Sequence, residues 1–268
     1  MAEFATMQIG PHAYFINDEG QSSFYVVEGI DRAAVIDTGI TLNGTIYPVI
    51  RKLTDKPLVL VLTHAHIDHF YHMDEFETVY MNHREFEMGE NTLLHMMGGK
   101  SLDIQHTIDI NTNDIIDLGG EKLESCTVPG HTPGSTVFLA EKQNLLFTGD
   151  AIGSGYGVWM QVPKALPLDQ YYHSLLHFMK WLLDRGGRMQ FYGGHHMQQY
   201  LSQAVPHYNP LSLGLLADLI DLVDKIVKHE LIGRPSNVSK TFTLEPTLYA
   251  AYGRAEIQFL KTNVHSTY

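Results

Sequence analysis

The sequence predicts a layered α/β protein, and three observations predict it. A nearly continuous apolar run, PLVLVLT at residues 57–63, suits a strand buried on both faces beneath helices. Two long stretches, 168–187 and 209–233, carry apolar residues at helical spacing. Clusters of His and Asp terminate strand-like runs on both sides of the midpoint, which favours one layered unit with a site at its seam.

The elements follow in order. The first few residues read as a loose or vector-derived terminus. SSFYVVEGI and AAVIDTG are β-rich runs separated by a turn at Gly29–Asp31. LNGTIYPVIRKL suggests a short helix, and the buried strand from Pro57 runs directly to His64. TVYMN is another short strand, and HREFEMGENTLLHMM reads as helical until Gly98–Gly99. DIIDLGG, KLESCTVPG, STVFLAEKQ and NLLFTGD read as successive strands with tight turns. A helix opens at Leu168 or Asp169, buries Leu175, Phe178, Met179 and Leu182, and stops at Gly186–Gly187. MQFYGG is a short strand. The helix within 209–233 turns Leu215, Leu219, Leu222 and Ile226 inward, and the tail reads as a loop and a last strand. Residues 1–268 are expected to form one domain, with 205–268 as a helical and strand extension.

Composition bounds the function. The chain has 268 residues, 44% of them hydrophobic, enough for a real core. A net charge of −12 speaks against nucleic-acid binding, which needs a basic face. No apolar run reaches the roughly 18–20 residues of a membrane span, and no secretory signal is visible. The single cysteine, Cys126, reads as a buried strand residue and fits a reducing cytoplasm.

The chemistry lies in the histidines. THAHIDH places His64, His66, Asp68 and His69 directly after the buried strand. Neighbouring strand residues alternate in direction, so a tight turn is needed to divide them into pairs. His131 stands in PGHTPGS, on a loop shaped by two glycines and a proline. Asp150 ends LLFTGD, and His195 follows Gly193–Gly194, with His196 as the competing donor. All seven are nitrogen or oxygen donors suited to a borderline metal such as zinc.

This set resembles the metallo-β-lactamase superfamily, whose signature is HxHxDH followed by isolated His, Asp and His. The order matches throughout, and IDTG at Asp37–Gly39 adds to it. The resemblance implies a four-layer αββα sandwich with two divalent metal ions, zinc first, with iron or manganese as alternatives. By that resemblance His64, His66 and His131 hold one ion, Asp68, His69 and His195 the other, and Asp150 bridges both. Asp37 is then either a group that orients a ligand by hydrogen bonding or a plain turn residue.

The expected reaction is hydrolysis of a small ester, lactone or thioester by a metal-bridging hydroxide. Two divalent ions outweigh Asp68, Asp150 and the hydroxide by about one charge, so an acidic chain can still present an electropositive pocket. Asp150 stands where common zinc β-lactamases have cysteine, which makes the chain more similar to glyoxalase II-type thioesterases, lactonases and phosphodiesterases. Besides phosphodiester cleavage, the alternatives are a mononuclear-iron sulfur dioxygenase and a non-catalytic regulatory protein. The stretch after Asp150 is expected to supply the pocket: Tyr156 to stabilise an oxyanion, Trp159 and Met160 to add apolar surface, with Met96 and Met97 opposite. The expected partner is a small-molecule substrate, with neither nucleic acid nor membrane, and no oligomeric state is assigned.

Overall fold

Apolar residues that alternate along the first strands divide between two cores, and that division sets the architecture. The structure is a computed structural model describing residues 4–18, 22–41, 44–89, 107–154, 157–195, 211–236 and 244–266. Seven strands form the first sheet, in chain order: β1 Ala5–Gly10, β2 Ala13–Asp18, β3 Ser22–Glu28, β4 Ala33–Ile36, β5 Leu58–Val61, β6 Val79–Met81 and β7 Thr107–Asp109. The first four are antiparallel neighbours, and β4 through β7 run parallel. A second sheet is built from β8 Ile115–Asp117, β9 Lys122–Thr127, β10 Thr136–Ala140 and β11 Leu145–Gly149. After β12 Val158–Met160, β13 Gln190–Gly193 joins it parallel to β11.

One face of each sheet turns inward. Phe15, Tyr25, Val27, Ile36 and Val61 of the first meet Leu123, Phe138, Phe147 and Tyr192 of the second. The opposite face of the first sheet, with Phe24, Val26, Val35 and Leu60, packs on helix α1 Tyr47–Arg51 and on Phe70 of α2 Ile67–Phe70. Val59 and Val61 face one core and Leu60 the other, so the run is buried on both sides, as its composition requires. The outer face of the second sheet carries helices α3 Leu168–Asp184 and α4 Leu213–Val227. The layers are therefore helix, sheet, sheet, helix: an α/β sandwich.

A third sheet was not legible in the sequence. It contains β12, β14 Arg234–Pro235, β15 Thr247–Tyr252 and β16 Ala255–Leu260, in the order β12-β16-β15-β14. Ile257 and Phe259 of β16 join the core under α3 and α4. The tail thus holds a hairpin, Thr247–Tyr252 on Ala255–Leu260, where one strand was expected. Near the N-terminus Ala5–Gly10 pairs with β2 as an edge strand, which the sequence had not marked, and the first three residues lie outside the described residues. His83–Met88 is a short 3₁₀ segment, and the rest of the expected helix lies outside the described residues. Cys126 is fully buried, and burial pushes its thiol up to about 12. No described helix is long and apolar enough to cross a membrane.

Candidate metal centre

Parallel pairing brings the carboxyl ends of strands together, and the donors sit there. Ile36 pairs with Val61, so Asp37 lies beside the Thr63–His64 segment. Gly149 pairs with Gly193, so Asp150 and His195 emerge side by side. His131 comes from the loop between β9 and β10. The seam between the sheets is closed by Thr136, whose N–H donates to the Thr63 carbonyl at 2.8 Å.

The THAHIDH segment leaves its strand and enters α2, one turn of helix with His66 as its extended N-cap. That change of backbone separates the side chains. His64 and His66 converge with His131, and His131 Nε2 lies 2.9 Å from His66 Nδ1. Asp68 and His69 converge with His195, and Asp68 Oδ2 is 3.4 Å from both His69 Nε2 and His195 Nε2. Asp150 lies between these groups. Its Oδ2 is 3.1 Å from His195 Nε2, 3.7 Å from His131 Nε2 and 3.8 Å from His69 Nε2. Among the described residues, three donor groups could each hold a metal ion: His64–His66–His131, His64–His69–Asp150 and Asp68–His69–His195. The structure therefore brings together all seven donors named from the sequence.

The outward nitrogens of three imidazoles are held by groups that fix where the proton sits. His131 Nδ1 lies 2.7 Å from the Trp159 carbonyl, which can only accept, so Nδ1–H donates and Nε2 is bare. His69 Nδ1 is 3.0 Å from Asp37 Oδ2, so its Nδ1–H donates there. Thr63 donates its hydroxyl proton to Asp37 Oδ2 at 2.8 Å, and can then accept from His64 Nδ1 at 3.0 Å. Asp37 thus orients two histidines, one directly and one through Thr63. Its other oxygen accepts from Thr63 N at 2.8 Å. Of its two sequence readings, the orienting one is correct. His64 Nε2 is buried with no hydrogen-bond partner, and such an orphaned lone pair among nitrogen and oxygen donors fits a divalent cation.

Electrostatics divides the donors. Burial lowers the pKa of His64 and His131 and takes His66 to about 3, so this group consists of neutral imidazoles. Burial opposes charge on His69 and His195 as well, but the carboxylates beside them prevail. Asp68 and Asp150 hold His69 well above its ordinary value, and Asp150 with Asp68 brings His195 to about 9. Asp150, despite its burial, is held well below the usual carboxylate range by His195 and His69.

Several supporting residues had no signal in the sequence. Ser154 donates to Asp150 Oδ1 at 3.0 Å. Tyr25 on β3 donates its hydroxyl to the Gly193 carbonyl at 2.5 Å, and Ser23 N donates to Gly194 O at 2.7 Å, anchoring the His195 turn. Gly194 is required by close approach, since a Cβ there would lie 2.5 Å from His69 Cε1 and 2.6 Å from Asp150 Oδ1. The expected pocket loop needs correction. Val158–Met160 is a strand, Met160 is wholly buried in the core, and Trp159 serves the centre through its carbonyl. Tyr156, His196, Met96 and Met97 lie outside the described residues.

An α/β sandwich with a His/Asp donor centre at the carboxyl ends of its strands is the class that fold and site define. Residues 17–195 match the family model of the metallo-beta-lactamase superfamily, and the chain belongs to that superfamily. Over 172 residues it is 26% identical to a human acyl-coenzyme A thioesterase, MBLAC2, covering 53% of this chain and 62% of that protein. It is 32% identical over 120 residues to the mouse mitochondrial persulfide dioxygenase ETHE1, covering 45% of this chain and 43% of that one. The chain thus spans less than two thirds of the length of either relative. A metallo-beta-lactamase from Pontibacter korlensis superposes with a TM-score of 0.58 at 18% identity, over 83% of this chain and 99% of that one, a likeness of fold.

Proposed function

We propose that this chain is a dinuclear metal-dependent hydrolase of a small ester, lactone or thioester, with a thioester as the first substrate class to test. In this reading His64, His66 and His131 hold one divalent ion, Asp68, His69 and His195 the other, and Asp150 is shared. The observation that carries it is the position of Asp150 Oδ2, within 3.8 Å of donor nitrogens from both histidine groups. Zinc suits the donor set, and iron or manganese are accommodated by the same nitrogens and oxygens. When bound, such ions supply Lewis acidity and bring the ionisation of water towards neutral pH. The protein's own part is to aim lone pairs and hold protons. Asp37, Thr63 and the Trp159 carbonyl keep three Nδ1 protons pointing away from the centre. Ser154 and His195 orient the Asp150 carboxylate. The similarity to an acyl-coenzyme A thioesterase supports a thioester.

The second reading is a mononuclear-iron sulfur dioxygenase, supported by the likeness to a persulfide dioxygenase. Elemental analysis of protein purified without added metal, joined to a panel of acyl thioesters, lactones and phosphodiesters, separates the two. About two zinc or manganese ions per chain with thioester or lactone turnover is the expected result. One iron per chain with oxygen consumption on a persulfide would establish the second reading, and phosphodiester turnover alone would move the substrate class.

A further inference from the structure

Glu85 lies on the 3₁₀ segment His83–Met88, belongs to none of the donor groups, and is completely buried. Among the described residues no ion pair includes it. Its two oxygens instead reach two different ligand-bearing segments. Oε2 accepts from Ala65 N at 2.7 Å, and Ala65 is the residue between His64 and His66. Oε1 accepts from Gly134 N at 2.6 Å, three residues past His131. The approach is tight, for a Cβ on Gly134 would lie 2.8 Å from Oε1. The 3₁₀ segment is itself fixed, because the Asn82 side chain accepts from Arg84 N and donates to the Ile110 carbonyl.

We propose that Glu85 is a positioning residue whose carboxylate clamps the His64–His66 segment to the His131 loop and so sets the spacing of that three-histidine group. The proposal rests on the reading that this group holds an ion. Burial raises the Glu85 pKa to about 6, so above that pH the ionised carboxylate lowers the stability of the fold.

The test is zinc and cobalt(II) binding to the metal-free full chain, by competition with a chromophoric chelator, for wild type, Glu85→Gln and Gly134→Ala. Glutamine keeps one acceptor oxygen, but its amide N–H₂ must face a backbone N–H, so one grip is lost. Gly134→Ala pushes the loop off the unaltered carboxylate. Each variant is expected to bind one of the two ions about 10- to 100-fold more weakly and the other nearly as wild type. The cobalt(II) visible spectrum should change in the weakened site, and the melting temperature of the metal-free protein should move little. Wild-type affinities and spectrum in both variants would overturn the clamp, as would equal loss of both ions together with a lower metal-free melting temperature. If Glu85→Gln does not fold, Gly134→Ala decides alone on the same criteria. A wild-type chain that binds no ion defeats the dinuclear reading itself, which is distinguishable from a wild type that binds two ions beside unaffected variants.

Discussion

Asp37 governs two imidazoles at once, which makes it the most informative single residue outside the donor set. It accepts from His69 directly and from Thr63, which in turn holds His64. Its φ of 61° is left-handed, a region asparagine tolerates, so Asp37→Asn keeps the backbone. It replaces one oxygen with an N–H₂, which must face either His69 Nδ1–H or the Thr63 N–H, so one acceptor of this network is lost in either orientation. Metal affinity is expected to fall about 10- to 100-fold, with the fold intact by circular dichroism. Unchanged affinity in a chelator competition would show that the histidines orient themselves. In the sequence Asp37 carried two readings of equal weight, a group that orients a ligand and a plain turn residue. Nothing there distinguishes a turn from a hydrogen-bond acceptor for a residue 32 positions away.

At the scale of elements, the donors are legible and their supports are not. His64, His66, Asp68 and His69 announce themselves because four donors crowd one turn after a buried strand. Glu85 and Tyr25 look like ordinary members of a polar segment and a β-run, and only tertiary contact gives them a task. Helix α4 was readable from the spacing of Leu215, Leu219, Leu222 and Ile226, all of which are buried. Strand β12 was not, because three residues between glycine-rich loop and proline are too few for a period to show. The Gly193–Gly194 turn lies between these cases: two glycines before a histidine suggest a constrained approach, and in the fold that approach is to His69 and Asp150. Gly194→Ala would drive its methyl into His69 and Asp150. Activity and metal content are expected to drop together, while the melting temperature of the metal-free protein stays within a few degrees. Full metal occupancy in the variant would mean the turn shifts without cost.

The whole molecule links charge, pH and metal. In metal-free protein His195 has a pKa of about 9 against an ordinary 6.5, and His69 is raised too, because Asp150 and Asp68 favour their charged forms. A raised histidine stabilises the fold fully below its unfolded pKa and loses that contribution as pH rises through its folded one. Metal-free protein is therefore expected to lose thermal stability between about pH 6.5 and 9. Metal-loaded protein, whose imidazoles are neutral ligands, should not show this loss. Parallel melting curves at several pH values check it, and equal slopes with and without metal would refute the coupling. The layering was legible from the strand that is apolar on both faces and from the two helical stretches. The third sheet was not, because its strands come from two distant parts of the chain and only pairing reveals them.

That late sheet reaches the chemistry by a short route. Val158, Trp159 and Met160 pair in parallel with Ile257, Gln258 and Phe259, and the carbonyl in the middle of this strip is the one that grips His131. A chain cut after its last donor would still own every donor, yet the strand whose carbonyl splints one imidazole would have lost its own neighbour. Sequence drift in the final forty or so residues, far from any histidine of the centre, can therefore retune it from behind.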